Sequence, residues 1–245
     1  MRRLWMSALL APVVALAVPA VALAAPSAPT APSVPARATS AAAGQVLQLG
    51  ASGLSTRELQ RRLAALKYYP GPIDGDFGID TLEAVWAFQE VQGLPGEDYV
   101  SAAMKRALAH PRAPRVLDRA AGRNRIEINL AAEVLVLYHN NKIELISHVS
   151  SGGGYYYCSP GGGCGYAITP TGNFRTEVFF PGWITVPLGE MYNSVFFIGT
   201  AYAIHGDTYV PLAPVSHGCI RLPMDVAAFF HTLVTIPGEP VIIRG

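Results

Sequence analysis

The spacing of apolar residues changes period near residue 123, and this divides the chain into two structurally different parts. Before that point the pattern is helical: Leu59, Leu63 and Leu66, then Val85 and Phe88, then Met104 and Leu108. Ser55-Thr56-Arg57-Glu58 and Asp80-Thr81-Leu82-Glu83 have the form of capping boxes, Gly93 is placed to stop the second helix, and Ser101 to cap a third. Residues 46–110 are therefore expected to form a small three-helix module. Asp74-Gly75-Asp76-Phe77-Gly78 reads as a tight turn, because the glycine and glutamate positions of a calcium loop are not met.

From Arg123 onward, short strand-like runs take over, with Arg125–Leu130 alternating. Arg125–Leu130, Glu133–Tyr138 and Ile143–Val149 read as strands, the last two joined by a turn at His139-Asn140-Asn141-Lys142. Thr169-Pro170-Thr171-Gly172 turns into a further strand, and Val241-Ile242-Ile243 closes the chain as the last one. One helix is expected over Met224–Leu233. Residues 124–244 thus read as a mainly-β, sandwich- or barrel-like domain, and the chain as multidomain.

The first residues have the form of an export signal. Arg2 and Arg3 precede an apolar run ending near Ala25, with Ala22-Leu23-Ala24 as a small-x-small cleavage site. The run approaches membrane-spanning length, so a retained anchor is the alternative, but Pro12 and Pro19 interrupt it. Residues 1–25 are read as a signal peptide and 26–45, rich in Ala, Pro, Ser and Thr, as a spacer. The expected location is outside the cytoplasm, in the wall, periplasmic space or medium. A formal net charge of +1, with no basic patch, removes the electrostatic case for a nucleic-acid partner.

Cys158 and Cys164 flank a Gly-rich loop, and in an oxidising compartment a disulfide between them is favoured over two buried thiols. A zinc site is weaker, since no His or Cys stands at ligand spacing around the pair. The third cysteine, Cys219, is then left free inside Ser216-His217-Gly218-Cys219-Ile220-Arg221. His205-Gly206 lies fourteen positions earlier, after the apolar runs Val195–Ile198 and Tyr202–Ile204, and is expected at a strand end. A thiol with nearby imidazoles and a glycine-bearing turn are the components of acyl transfer.

Two resemblances follow from these residues. Leu59-Gln60-Arg61-Arg62-Leu63, Tyr68-Tyr69, Ile73–Gly78, Thr81, Ala84-Val85, Phe88-Gln89 and Gly93-Leu94 resemble the helical peptidoglycan-binding module of wall enzymes, with a looser match over Pro95–Val100. Thr169–Gly172, Gly189–Asn193, Ala203–Gly206 and Ser216–Leu222, in that order, resemble the YkuD-type L,D-transpeptidase catalytic domain. That resemblance implies a β-sandwich-like fold and a cysteine enzyme of peptidoglycan stem peptides. Such an enzyme forms an acyl-enzyme between Cys219 and the diamino acid at stem position three, releases D-alanine, and passes the acyl group to an amine of a second stem. β-Lactams of the carbapenem type are implied as covalent inhibitors, and no cofactor or metal is called for.

By the same resemblance His205 is the general base, its ring oriented by a carbonyl near Gly206. His217 is the second candidate base, with an orienting or oxyanion-side role preferred, because sequence neighbours rarely face each other. Amides of His217, Gly218 and Cys219 are candidates for the oxyanion site. Arg221 is either a clamp for a substrate carboxylate or the partner of Asp225. Ser216 is expected to bond local backbone, and Tyr192 and Tyr155-Tyr156-Tyr157 to line the cleft, although loop packing accounts equally for the tyrosine run. His110, His139, His148 and His231 have no partner motif and read as packing or surface residues. The competing functions are an L,D-carboxypeptidase, with water as acceptor, and a non-catalytic wall-binding protein; a monomer is expected in each case.

Overall fold

The computed structural model describes residues 46–245. The expected signal peptide (1–25) and spacer (26–45) lie outside the described residues. Among those described, no helix is long and apolar enough to cross a membrane.

Three helices come first: α1 (Leu54–Ala65), α2 (Ile79–Gln92) and α3 (Ala102–Ala109). Ser101 caps α3 through its side chain, bonding the Met104 amide at 3.3 Å, and Gly93 ends α2 in the left-handed region at φ 66°. The two capping boxes are not used. Gly53 and Gly78 occupy the N-cap positions, without side-chain caps, so Ser55 and Asp80 fall inside their helices. The Gly53 amide is instead tied to the Gly75 carbonyl at 2.8 Å, which starts α1 before Ser55 can act as a cap.

Two buried glutamines hold the loops of this module. Gln60 donates to Asp74 Oδ1, the Asp76 carbonyl and Thr81 Oγ1, and accepts from the Gly75 amide, which fixes Asp74–Gly78 as a turn. Gln89 does the same for Glu97–Tyr99. Buried amide side chains survive only where their donors and acceptors are met, and both are.

The β region contains β1 (Arg125–Asn129), β2 (Val134–His139), β3 (Lys142–His148), β4 (Tyr156–Cys158), β5 (Cys164–Tyr166), β6 (Gly172–Arg175), β7 (Val178–Val186), β8 (Gly189–Ile198), β9 (Tyr202–Gly206), β10 (Ile220–Leu222) and β11 (Pro240–Arg244). The helix α4 (Met224–Leu233) lies between β10 and β11. One sheet has the order β3-β2-β1-β11-β6 and a second β10-β9-β8-β7; β4 and β5 form a separate hairpin. The β2–β3 turn has Asn140 and Asn141 at φ 52° and 61°, the left-handed pair that a two-residue hairpin needs.

The first sheet is covered on both faces. Val134, Val136, Tyr138 and Ile146 share one core with Leu63, Phe88 and Met104 of the helices. Leu135, Leu137, Ile126 and Ile128 face the other way, into a core with Val195, Phe197 and Ile204 of the second sheet and Phe230 of α4. This explains why β2 reads as a continuous apolar run rather than an alternating one. The helical module is therefore fused to the β-domain by shared side chains, and Tyr68 extends the edge of β3 through a parallel bridge to Ile146.

Candidate active site

The site is built on the parallel pair β9–β10. In its register Ile220 stands beside Ile204, Arg221 beside His205 and Leu222 beside Gly206. Side chains alternate along a strand, so His205 and Asp207 on one strand, and Cys219 and Arg221 on the other, line a single face. Cys219, one residue ahead of β10, sits next to Ala203, whose amide donates to Sγ at 3.4 Å. Arg221 pairs with Asp207, Nε to Oδ2 at 3.1 Å, and donates to the Tyr209 carbonyl at 3.2 Å. Its alternative partner from the sequence, Asp225, is not used: Asp225 lies with Asp80 and Glu83 where α4 meets α2. Asp207 carries no motif of its own; only strand register reveals it.

His205 is almost fully buried, and its Nδ1 lies 2.9 Å from the Gly206 carbonyl. A carbonyl only accepts, so Nδ1 carries the proton and Nε2 is the basic nitrogen. Packing requires a glycine at 206, since a Cβ there would stand 2.7 Å from that of Ala227. Burial holds the His205 pKa below the ordinary imidazole range and pushes the Cys219 thiol up, the latter opposed by the Ala203 amide and Arg221. Both shifts favour a neutral thiol and a neutral imidazole in the resting site.

The turn before Cys219 is held by its own polar atoms. Ser216 Oγ donates to the Cys219 carbonyl at 2.6 Å and accepts from the Gly218 amide at 2.9 Å. Ser216 is therefore a structural brace, as expected. The Gly218 amide is engaged there, which leaves the amides of His217 and Cys219 as oxyanion candidates. Thr169 Oγ1 donates to the Gly218 carbonyl at 2.8 Å and accepts from the Gly152 amide at 2.9 Å, a bracing role that the Thr-Pro-Thr-Gly motif alone did not reveal. Gly218 itself has φ +134°, with Ile168 O 2.9 Å from where a Cβ would be.

A cleft of about 520 Å³ opens over this face, lined by Cys219, His205, Arg221, Tyr157 and the β7–β8 turn around Gly189–Met191. One wall is the β4–β5 hairpin, closed by a Cys158–Cys164 disulfide; Cys219 is free. His217 points to that wall, edge-on to Tyr155 and Tyr157 at 5.5 and 4.6 Å between ring centroids. It is a cleft wall, not a partner of His205. Tyr192 does not line the cleft: it lies opposite Gly206 in the sheet and packs beneath it against Trp183. Its place in β8 turns the ring toward the core, away from the thiol face.

Comparison with known proteins agrees with this architecture. Residues 123–243 match the YkuD L,D-transpeptidase catalytic domain, and residues 52–108 match the peptidoglycan binding domain. An L,D-transpeptidase structure from Xylanimonas cellulosilytica (its residues 123–326) is 31% identical, with a TM-score of 0.77 over 82% of this chain and 98% of that one. Spore cortex-lytic enzymes of Bacillus cereus and Bacillus subtilis are 44% and 46% identical over 68 and 70 residues, 28% of this chain in each case. The chain spans about a quarter of the length of these curated relatives (26% and 23%). Fold and site define a two-module protein with a helical module and a mainly-β, thiol-bearing domain. The chain belongs to the YkuD-type L,D-transpeptidase family.

Proposed function

We propose that the protein is a cysteine acyltransferase that joins peptidoglycan stem peptides through L,D (3-3 type) cross-links. The observation that carries this reading is the shared face of Cys219 and His205, with the His205 tautomer set by Gly206. As Sγ forms its bond to the donor carbonyl carbon, the thiol proton passes to His205 Nε2. The amides of His217 and Cys219 stabilise the oxyanion. Collapse of the adduct breaks the bond to D-alanine, whose nitrogen takes the proton from His205. An acceptor amine then attacks the thioester and gives its proton back through His205, and the thiol is released. Arg221, held by Asp207, offers its remaining donors to a stem carboxylate.

A second reading has water as the acceptor, giving an L,D-carboxypeptidase from the same acyl-enzyme. The helical module supplies affinity for the wall, and the wall is the compartment in which the Cys158–Cys164 disulfide persists. Incubation with purified tetrapeptide stems separates the readings: a cross-linked dimer mass supports transfer, a tripeptide alone supports hydrolysis. Absence of both products defeats each.

A further inference from the structure

His148 has no motif around it in the sequence, yet it is the most connected buried imidazole in the molecule's interior. It stands at the end of β3 with its side chain fully buried, and Glu90 of α2 is nearly so. Nδ1 lies 2.8 Å from Glu90 Oε1, and Nε2 lies 3.1 Å from both the Val210 and Pro211 carbonyls. The Trp86 ring, also from α2, meets the imidazole edge-on at 5.6 Å. The two carbonyls only accept, so Nε2 is protonated. One further proton lies between Nδ1 and Glu90, and the pair is net neutral whichever partner holds it. Burial moves the Glu90 carboxyl up to about 7, which suits a shared proton.

The segment that His148 grips leads into the active site. It begins at Asp207, the ion-pair partner of Arg221, passes Tyr209, whose carbonyl Arg221 also bonds, and ends at Ser216. Ser150, two residues after His148, holds the same segment by donating from Oγ to the Ala213 carbonyl and accepting from the Val215 amide. Ser150 also exchanges backbone bonds with Arg221 at 3.0 and 3.2 Å. The helical module touches the segment a second time: a Cβ on Gly96 would be 2.7 Å from Leu212 Cδ1.

We propose that Glu90 and His148 are positioning residues that fix the Asp207–Val215 segment, and with it Arg221 and the Cys219 turn, so that the helical module takes part in the reaction. The proposal rests on the reading of Cys219 as the nucleophile. Glu90 reaches His148, His148 reaches the segment, and the segment reaches Arg221, all through hydrogen-bonded or ion-paired contacts in a core that cannot deform freely.

The test follows acylation of Cys219 by a carbapenem in the full chain by mass, beside alkylation of the same thiol by iodoacetamide, which is small and carries no carboxylate for Arg221 to hold. Glu90→Ala and His148→Ala are expected to slow acylation roughly 10–100-fold, the cost of about an ångström of misplacement, with alkylation unchanged. Glu90→Gln retains a hydrogen-bonding partner for Nδ1 and is expected to restore the wild-type rate. A folded Glu90→Ala that acylates like the wild type overturns the proposal. So does Glu90→Gln as slow as Glu90→Ala, or acylation and alkylation falling together with the folded fraction. If His148→Ala does not fold, the Glu90 pair decides. A wild-type protein that is alkylated but never acylated removes the Cys219 reading itself, and the proposal with it.

Discussion

Arg221 stands opposite His205 across β9–β10 and reaches along the same face to Asp207, with Nε 3.1 Å from Oδ2. The pairing holds a cation on the cleft face that Cys219 and His205 also line. Asp207 thereby fixes the Arg221 guanidinium at the floor of the cleft.

Replacement of the nucleophile is the first test. Cys219→Ala removes a thiol whose hydrogen-bonding neighbours among the described residues are the Ala203 amide and, at 4.0 Å, the Ala201 carbonyl. The fold should be retained and carbapenem adduct formation lost, as read by mass spectrometry. An adduct on the alanine variant would place the nucleophile elsewhere.

The two histidines should separate in rate. His205→Ala is expected to slow acylation by about 10²–10⁴-fold, the worth of a positioned acid–base group. His217→Ala removes a ring packed on Tyr155 and Tyr157 and should cost less. Stopped-flow acylation gives the order directly, and a reversed order would make His217 the base.

The pH profile follows from a neutral resting pair. Because the His205 pKa is lowered, the base loses activity only when pH falls below the ordinary imidazole range, and acylation should be level through neutrality. Because the Cys219 thiol is pushed up, iodoacetamide alkylation should rise only above the ordinary thiol range. Rapid alkylation at neutral pH, with a plateau already reached, would mean a preformed thiolate–imidazolium pair.

A fourth expectation concerns stability at the junction of α2 and α4. Burial and repulsion from neighbouring carboxylates raise Glu83 to about 8 and Asp225 to about 7, and burial moves Asp80 upward as well. Their folded pKa values exceed the unfolded ones, so their contribution is fullest below the unfolded values and is lost as pH rises through the folded ones. Asp225→Asn should therefore raise the melting midpoint at pH 8 more than at pH 5, by roughly 2–4 °C for each ~1 kcal/mol recovered. Calorimetry at the two pH values checks this, and an equal shift at both would rule out the ionisation account.

Much of this molecule was legible without a structure where local chemistry is decisive. Ser101 caps α3, Gly93 ends α2, Asn140-Asn141 makes the β2–β3 turn, and α4 runs from Met224 to Leu233, because each depends on residues within a turn or two of one another. The family motifs likewise named Cys219 and His205, which the fold brings onto one face. What the tertiary structure alone decided involves partners far apart in the chain. Strand register gave Arg221 its partner Asp207 in place of Asp225, and β8 turned Tyr192 inward beneath Gly206. The tie between the Gly53 amide and Gly75 displaced one capping box, and packing of α2 on β2 and β3 merged the helical module with the β-domain core. The contact of Glu90 with His148 spans 58 positions and carries no local signal, because hydrogen bonds between distant segments exist only once the packed core has brought those segments together.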